Sequence, residues 1–178
     1  MLEGIIREST NKANTKALRR DGYLIANIYA KGFENINAAF KMNEYIRTVR
    51  NKETIAFPVS VDGKELNVVV QSYEAQPVTG NLLHVDLMVA QPGVEAKFNV
   101  PIVAVGEAIG LKNKGLVHLA KTRLTIKCTP ENLPNSVEID VTEMDTGDSK
   151  LVRDLPEMPN VTILDSDRVA LISIIKAK

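Results

Sequence analysis

The stretch IAFPVSVDGKELNVVV, Ile55 to Val70, sets two β-branched runs on either side of Asp62-Gly63. Branching at Cβ restricts χ1 and suits a pleated surface better than a helix. An Asp-Gly pair supplies the positive φ that a tight hairpin turn requires at its glycine. The stretch therefore predicts two strands, Ile55 to Val61 and Leu66 to Val70, folded back on each other.

Reading outward towards the N-terminus, Leu2 to Arg7 predicts an opening strand, and Lys12 to Arg20 a short helix with Asn11 at its cap. Ala13, Ala17 and Leu18 fall on one side of that helix, leaving Lys12, Lys16, Arg19 and Arg20 to solvent or a ligand. Asp21-Gly22 ends it. The continuous apolar run YLIANIYA, Tyr23 to Ala30, reads as a strand buried on both faces and broken at Lys31-Gly32. A second helix is predicted from Asn43 as cap to Arg50, with Ile46 and Val49 inward and Arg47 and Arg50 outward. Past the hairpin, Glu74 to Asn81 reads as loop and Leu82 to Val89 as strand.

Gln91-Pro92-Gly93 makes a natural boundary, with a linker near Ala90 to Val94. Seven of the eight Tyr and Phe residues precede it and only Phe98 follows, so the two halves should have separate cores. Beyond it only strands are predicted: Glu95 to Val105, Leu116 to Ala120, Arg123 to Cys128, Ser136 to Val141, Asn160 to Leu164 and Arg168 to Ile175. Short aliphatic strands with Gly, Pro, Asn and Asp turns fit a β-sandwich or a partly open barrel. The expected fold is mainly β with two short helices, divided into domains at 1–91 and 92–178.

Hydrophobic residues make up 44% of the 178, enough for real cores, and no disorder-prone tract interrupts them. No run approaches the ~20 apolar residues of a membrane span, and MLEGIIREST lacks the layout of a secretory signal, so a cytosolic protein with no membrane partner is expected. Cys128 is the sole cysteine, which excludes an internal disulfide and a multi-cysteine metal site; in LTIKC it reads as a small core residue.

Net charge is zero, yet it is spread unevenly. Residues 1–52 hold ten Lys and Arg against five Asp and Glu, whereas residues 131–167 hold two against ten. Within RESTNKANTKALRR, Arg7 to Arg20, five cations face the single acid Glu8. Such a cluster is either an ordinary solvated basic helix or the docking face for a polyanion, whose counterions it would release.

Three other constellations invite chemistry. Gly106, Gly110 and Gly115 in GEAIGLKNKG resemble a phosphate loop, but Leu116 and Val117 stand where Lys and Ser/Thr are required, so a glycine-rich turn with Lys112 and Lys114 at its tip is the better reading. His84-Val85-Asp86 puts an imidazole and a carboxylate on one face of a strand, as a structural pair, a ligand contact or an acid-base site. His118 is the only other histidine and no GxSxG, CxxC or HExxH pattern is present, so neither a metal, a cofactor nor catalysis is expected. Finally, the basic helix combines with Tyr29, Gln71, Tyr73, His84 and Asp86 on strands. Duplex or irregular RNA, read by shape, phosphate and 2′-hydroxyl, suits these donors and acceptors better than single strands, which favour exposed stacking aromatics.

RESTNKANTKALRRDGYLIANIYAKG, followed about fifty residues later by QPVTGNLLHVDL, resembles the bacterial large-subunit ribosomal protein L-twenty-five and general stress protein Ctc family. VPIVAVGEAIGLKNKGLVHLAKTRLTIKCTPENLPNSVEIDVTEMDTGDSKLVRDL looks like the C-terminal domain of its long form. The resemblance implies an N-terminal β-barrel that binds 5S ribosomal RNA in the large subunit, and a second all-β module meeting neighbouring ribosomal RNA or protein. It also implies RNA contacts by Arg7, Lys12, Thr15, Lys16, Arg19, Tyr29, Gln71, His84 and Asp86. A different class of reading makes the chain a stress-related interaction protein whose acidic C-terminal stretch binds a protein, RNA contact being secondary.

Overall fold

In the computed structural model, which describes residues 2–7, 9, 11–52, 54–156 and 158–176, the chain forms two compact units, Met1–Val94 and Glu95–Lys178. Glu8, the lone acid of the basic segment, lies outside the described residues.

The Asp62-Gly63 hairpin is the seed of the first unit. Asp62 takes φ 52° and Gly63 φ 72°, so both turn residues are left-handed, and the turn joins β4 (Phe57–Val61) to β5 (Lys64–Ala75) with Val61 opposite Lys64 and Phe57 opposite Val68. Around them β1 (Leu2–Ile6), β2 (Tyr23–Ala30), β3 (Phe33–Lys41) and β6 (Leu82–Val89) complete a closed barrel in the order β1-β3-β2-β6-β5-β4, sealed by parallel pairing of β1 with β4. Leu24, Ala26 and Ile28 of β2, Ala38 and Phe40 of β3, Val68 of β5, and Val85 and Leu87 of β6 fill its interior. Gly4 of β1 sits opposite Phe40, whose ring occupies the space a Cβ would need. Helix α2 (Met42–Arg50) packs Met42, Tyr45, Ile46 and Val49 against this core, with Arg47 and Arg50 outward as predicted. Helix α1 (Lys12–Arg20) packs outside, against β2.

In the second unit β10 (Val137–Asp140), β7 (Ala96–Val105), β9 (Arg123–Cys128) and β12 (Thr162–Ile163) form a four-stranded sheet in that order. A second sheet has the order β11 (Ser149–Leu151), β13 (Ala170–Lys176), β8 (Gly115–Leu119). Phe98, Val100, Leu124, Ile126, Leu171, Ile172 and Ile174 are buried, as is Cys128, whose thiol burial pushes up. Neither sheet closes on itself, in keeping with the open all-β architecture expected of this half.

Several elements depart from expectation. Strand β3 was not expected, because FENINAAFK is rich in Asn and Ala, which have weak strand preference; pairing with β1 on one edge and β2 on the other makes it a strand. Helix α2 starts at Met42 with Lys41 at the N-cap and no side-chain cap bond, so Asn43 is not its cap. Strand β4 begins at Phe57 rather than Ile55, and β5 runs to Ala75, beyond the predicted loop start. In β2, Asn27 and Tyr29 are only partly buried, so that strand is not apolar on both faces. Ala13 of α1 is exposed, because the covered side of the helix is Thr15, Ala17 and Leu18. The glycine-rich turn holds a one-turn helix, α3 (Ile109–Lys112), with Gly110 buried against Ile174, while Lys112 and Lys114 are exposed as expected.

Candidate nucleic-acid interface

Alternation along the barrel strands decides what its outer wall presents. With Ala26, Ile28, Ala38, Phe40, Val85 and Leu87 inside, their neighbours must face out. Cross-strand register then lines these outward residues up in rows. One row reads Ile5, Ala39, Ile25, His84, Glu74 across β1, β3, β2, β6 and β5. Its apolar part is where α1 rests: Ala39 and Ile25 are buried, and Ala17 and Leu18 line a cavity of about 410 Å³ with Ile5 and Ile6.

The next row is polar throughout. Arg7 extends β1 by donating its backbone N–H to Asn37 O at 2.8 Å; Asn37 is opposite Asn27, Asn27 opposite Asp86, and Asp86 opposite Ser72. Ser72 Oγ donates a short hydrogen bond to Asp86 Oδ2, and His84 Nδ1 lies 3.7 Å from Asp86 Oδ1. About a third of each side chain of the His84–Asp86 pair remains accessible. One step further along β2 is Tyr29, opposite Met88; burial, and then the Asp86 charge, raise its phenol above the ordinary 10.0, so it stays an O–H donor.

Helix α1 stands at the edge of this wall. Asn11 caps it, accepting from Asn14 N at 3.0 Å. Arg7 Nη2 donates to Thr15 Oγ1 at 2.7 Å, and Thr15 Oγ1 donates to Asn11 O, which ties the first turn to the end of β1. Arg19 Nη2 donates to Leu83 O at 3.0 Å, which ties the last turn to β6 one residue before His84. Lys12 and Lys16 are exposed and make no ion pair among the described residues. Lys16, Arg19 and Arg20 line one groove of about 560 Å³ with Asn43 and Asn81.

The fold thus gathers Arg7, Lys12, Thr15, Lys16, Arg19, Tyr29, His84 and Asp86 on or beside one wall of the barrel. Gln71 falls at the irregularity between Val70 and Ser72, where β5 carries one more residue than β6. Tyr73 follows it, opposite Val85 and half exposed. Asn27, Asn37 and Ser72 were missed, because their place in the row exists only through register with β6. Arg20, which the resemblance does not place among the RNA contacts, shares the groove of Lys16 and Arg19. Chemically the wall offers point charges for phosphates along α1, and hydrogen-bonding groups for sugar hydroxyls and base edges along the polar row. Among the described residues no group of three or more His, Cys, Asp or Glu could hold a metal ion.

Two family models match the chain: the Ribosomal L25p family over residues 2–87 and the C-terminal domain of ribosomal protein TL5 over residues 95–178. Over all 178 residues and the full length of each relative, the chain is 68% identical to "Large ribosomal subunit protein bL25" of Sulfurimonas denitrificans. It is 61% identical to the protein of that name from Wolinella succinogenes and 54% to that from Helicobacter hepaticus, again end to end.

Proposed function

The chain belongs to the bacterial bL25 family of large ribosomal subunit proteins, in its long form with a TL5-type C-terminal domain, and from that membership we propose that it docks on 5S ribosomal RNA. The docking domain is residues 1–91, and residues 92–178 form a second module directed at neighbouring ribosomal RNA or protein. The role is structural rather than catalytic, and the protein works on the cytoplasmic ribosome.

The observation that carries this reading is the pairing of two chemistries on one wall: lysines on α1 that make no ion pair among the described residues, beside an in-register polar row that runs through Asp86 to Ser72, with His84 next to Asp86. Lys12 and Lys16 supply sequence-independent attraction to phosphates. Asp86 would repel a phosphate but accepts well from a hydroxyl, so it suits a partner with 2′-OH groups. Arg7 and Thr15, and Arg19 with Leu83 O, hold α1 in place relative to the row. Gln71 and Tyr29 flank the row and complete the contact set.

The test is 5S rRNA affinity of wild-type and Lys16→Ala protein at two salt concentrations. Loss of one phosphate contact should weaken binding and reduce the slope of log K against log salt by about 0.7 to 0.9. Unchanged affinity and slope would remove Lys16 from the interface.

A further inference from the structure

Asn27 sits in the middle of the polar row, between Asn37 on β3 and Asp86 on β6, on the strand face that also carries Ile25 and Tyr29. Its Oδ1 is out of reach of solvent and accepts no hydrogen bond among the described residues. Buried acceptors without a donor are rare, because water is lost and nothing replaces it. An aliphatic residue would serve the free barrel better at this position, since Val and Leu fill a strand face without an unmet polar atom. Arg7 Nε, two positions along the same row, is likewise buried without a partner among the described residues, so the row as it stands leaves a donor and an acceptor unmet, and a ligand docked on the wall can supply the donor that Asn27 lacks.

Resting on the docking reading above, we propose that Asn27 is a specificity-determining residue of the RNA face, one that takes a hydrogen bond from a donor displayed in the shallow groove. Two groups there have the needed chemistry: a ribose 2′-hydroxyl and the 2-amino group of guanine. The terminal χ2 torsion of Asn is soft, so the carboxamide turns towards an arriving donor without disturbing β2. Asp86 beside it is an acceptor and cannot satisfy Oδ1, and it attracts the same donors. The result is a pair of acceptors at directly opposite positions on neighbouring strands, the strands themselves being about 4.8 Å apart. Phosphate oxygens have no donor to offer, so this pair rewards sugar and base edges alone.

The prediction has two arms of opposite sign, read on the full-length protein. Asn27→Leu should raise the thermal midpoint of the free protein while weakening its affinity for 5S rRNA by about tenfold to a hundredfold. The salt slope should stay unchanged, because no phosphate contact is lost. A fall in the midpoint would show that the amide is satisfied at home, and unchanged affinity would show that no ligand uses it; either result overturns the inference. Wild-type protein that fails to bind 5S rRNA would remove the docking reading itself, an outcome distinct from a variant that binds as well as wild type. Repeating the titration with 2′-deoxy-substituted 5S RNA, and with inosine in place of guanosine, separates the two donors. The relevant change weakens wild-type binding but not that of Asn27→Leu, and a loss equal in both proteins for both RNAs counts against the proposal.

Discussion

Two aspartates, one in each unit, show how the same side chain is put to different use by its surroundings. Asp86 has one oxygen engaged by Ser72 and the other 3.7 Å from His84 Nδ1, with about a third of the side chain accessible, so acceptor capacity is left for a ligand. Asp165 is spent on structure. Its Oδ1 lies 2.6 Å from Lys121 Nζ, its Oδ2 accepts from Thr125 N at 2.8 Å, and only 16% of the side chain is exposed. Burial pushes this carboxyl up, but the bonds from Lys121 and Thr125 outweigh it and hold the group below its ordinary 3.8. A depressed carboxyl stabilises the fold above its unfolded value and loses that contribution as pH falls through its folded value. Asp165→Asn should therefore lower the unfolding midpoint at pH 7, and the difference should shrink as pH falls below the ordinary 3.8 and through the carboxyl's lower folded value. Thermal melts across pH 2 to 7 read this directly, and a constant difference across the range would show that Asp165 is not the group responsible.

At the scale of elements, α1 is the one to watch. Nine residues are too few for a helix to hold itself together in water. Its order depends on the Asn11 cap, on packing of Ala17 and Leu18, and on the ties from Arg7 to Thr15 and Arg19 to Leu83 O. Asn11→Ala should cost about 1 kcal/mol of local stability. Because Lys12 and Lys16 ride on this helix, 5S rRNA affinity should fall with it, whereas Asn11→Ser should keep both. Equal affinity for Asn11→Ala and wild type would mean that the lysines act from a disordered segment. The helix, its cap and its charged side were legible in the sequence because capping, period and composition are local properties. So were the hairpin at Asp62-Gly63 and the strand carrying His84 and Asp86. Strand β3 was not, since its Asn and Ala residues become a strand only when β1 and β2 pair with both its edges. The polar row escaped for the same reason. Asn27, Asn37 and Ser72 are ordinary polar residues until register sets them beside Asp86, and the extra residue at Gln71 is what brings Ser72 opposite it.

For the whole molecule, charge divides within the units rather than between them. Residues 1–94 carry 11 Lys and Arg against 10 Asp and Glu, and residues 95–178 carry 11 against 12. The acidic stretch from Glu131 to Asp167 is thus offset by cations elsewhere in its own unit, and the second unit as a whole should not repel RNA strongly. The first unit also needs nothing from the second to fold, because its barrel closes, leaves no strand edge open, and holds its own core. A fragment ending at Val94 should accordingly melt cooperatively and bind 5S rRNA within about twofold of the intact chain, the usual size of coupling between independent sites. Cooperative melting checks that the fragment is folded, so affinity can be read without ambiguity. A folded fragment that loses 5S rRNA binding would assign the RNA contact to residues beyond Val94 and favour the reading in which the barrel's RNA contact is secondary. Retained affinity, with α1 and the His84–Asp86 strand both present, would leave the second unit free to meet a different neighbour.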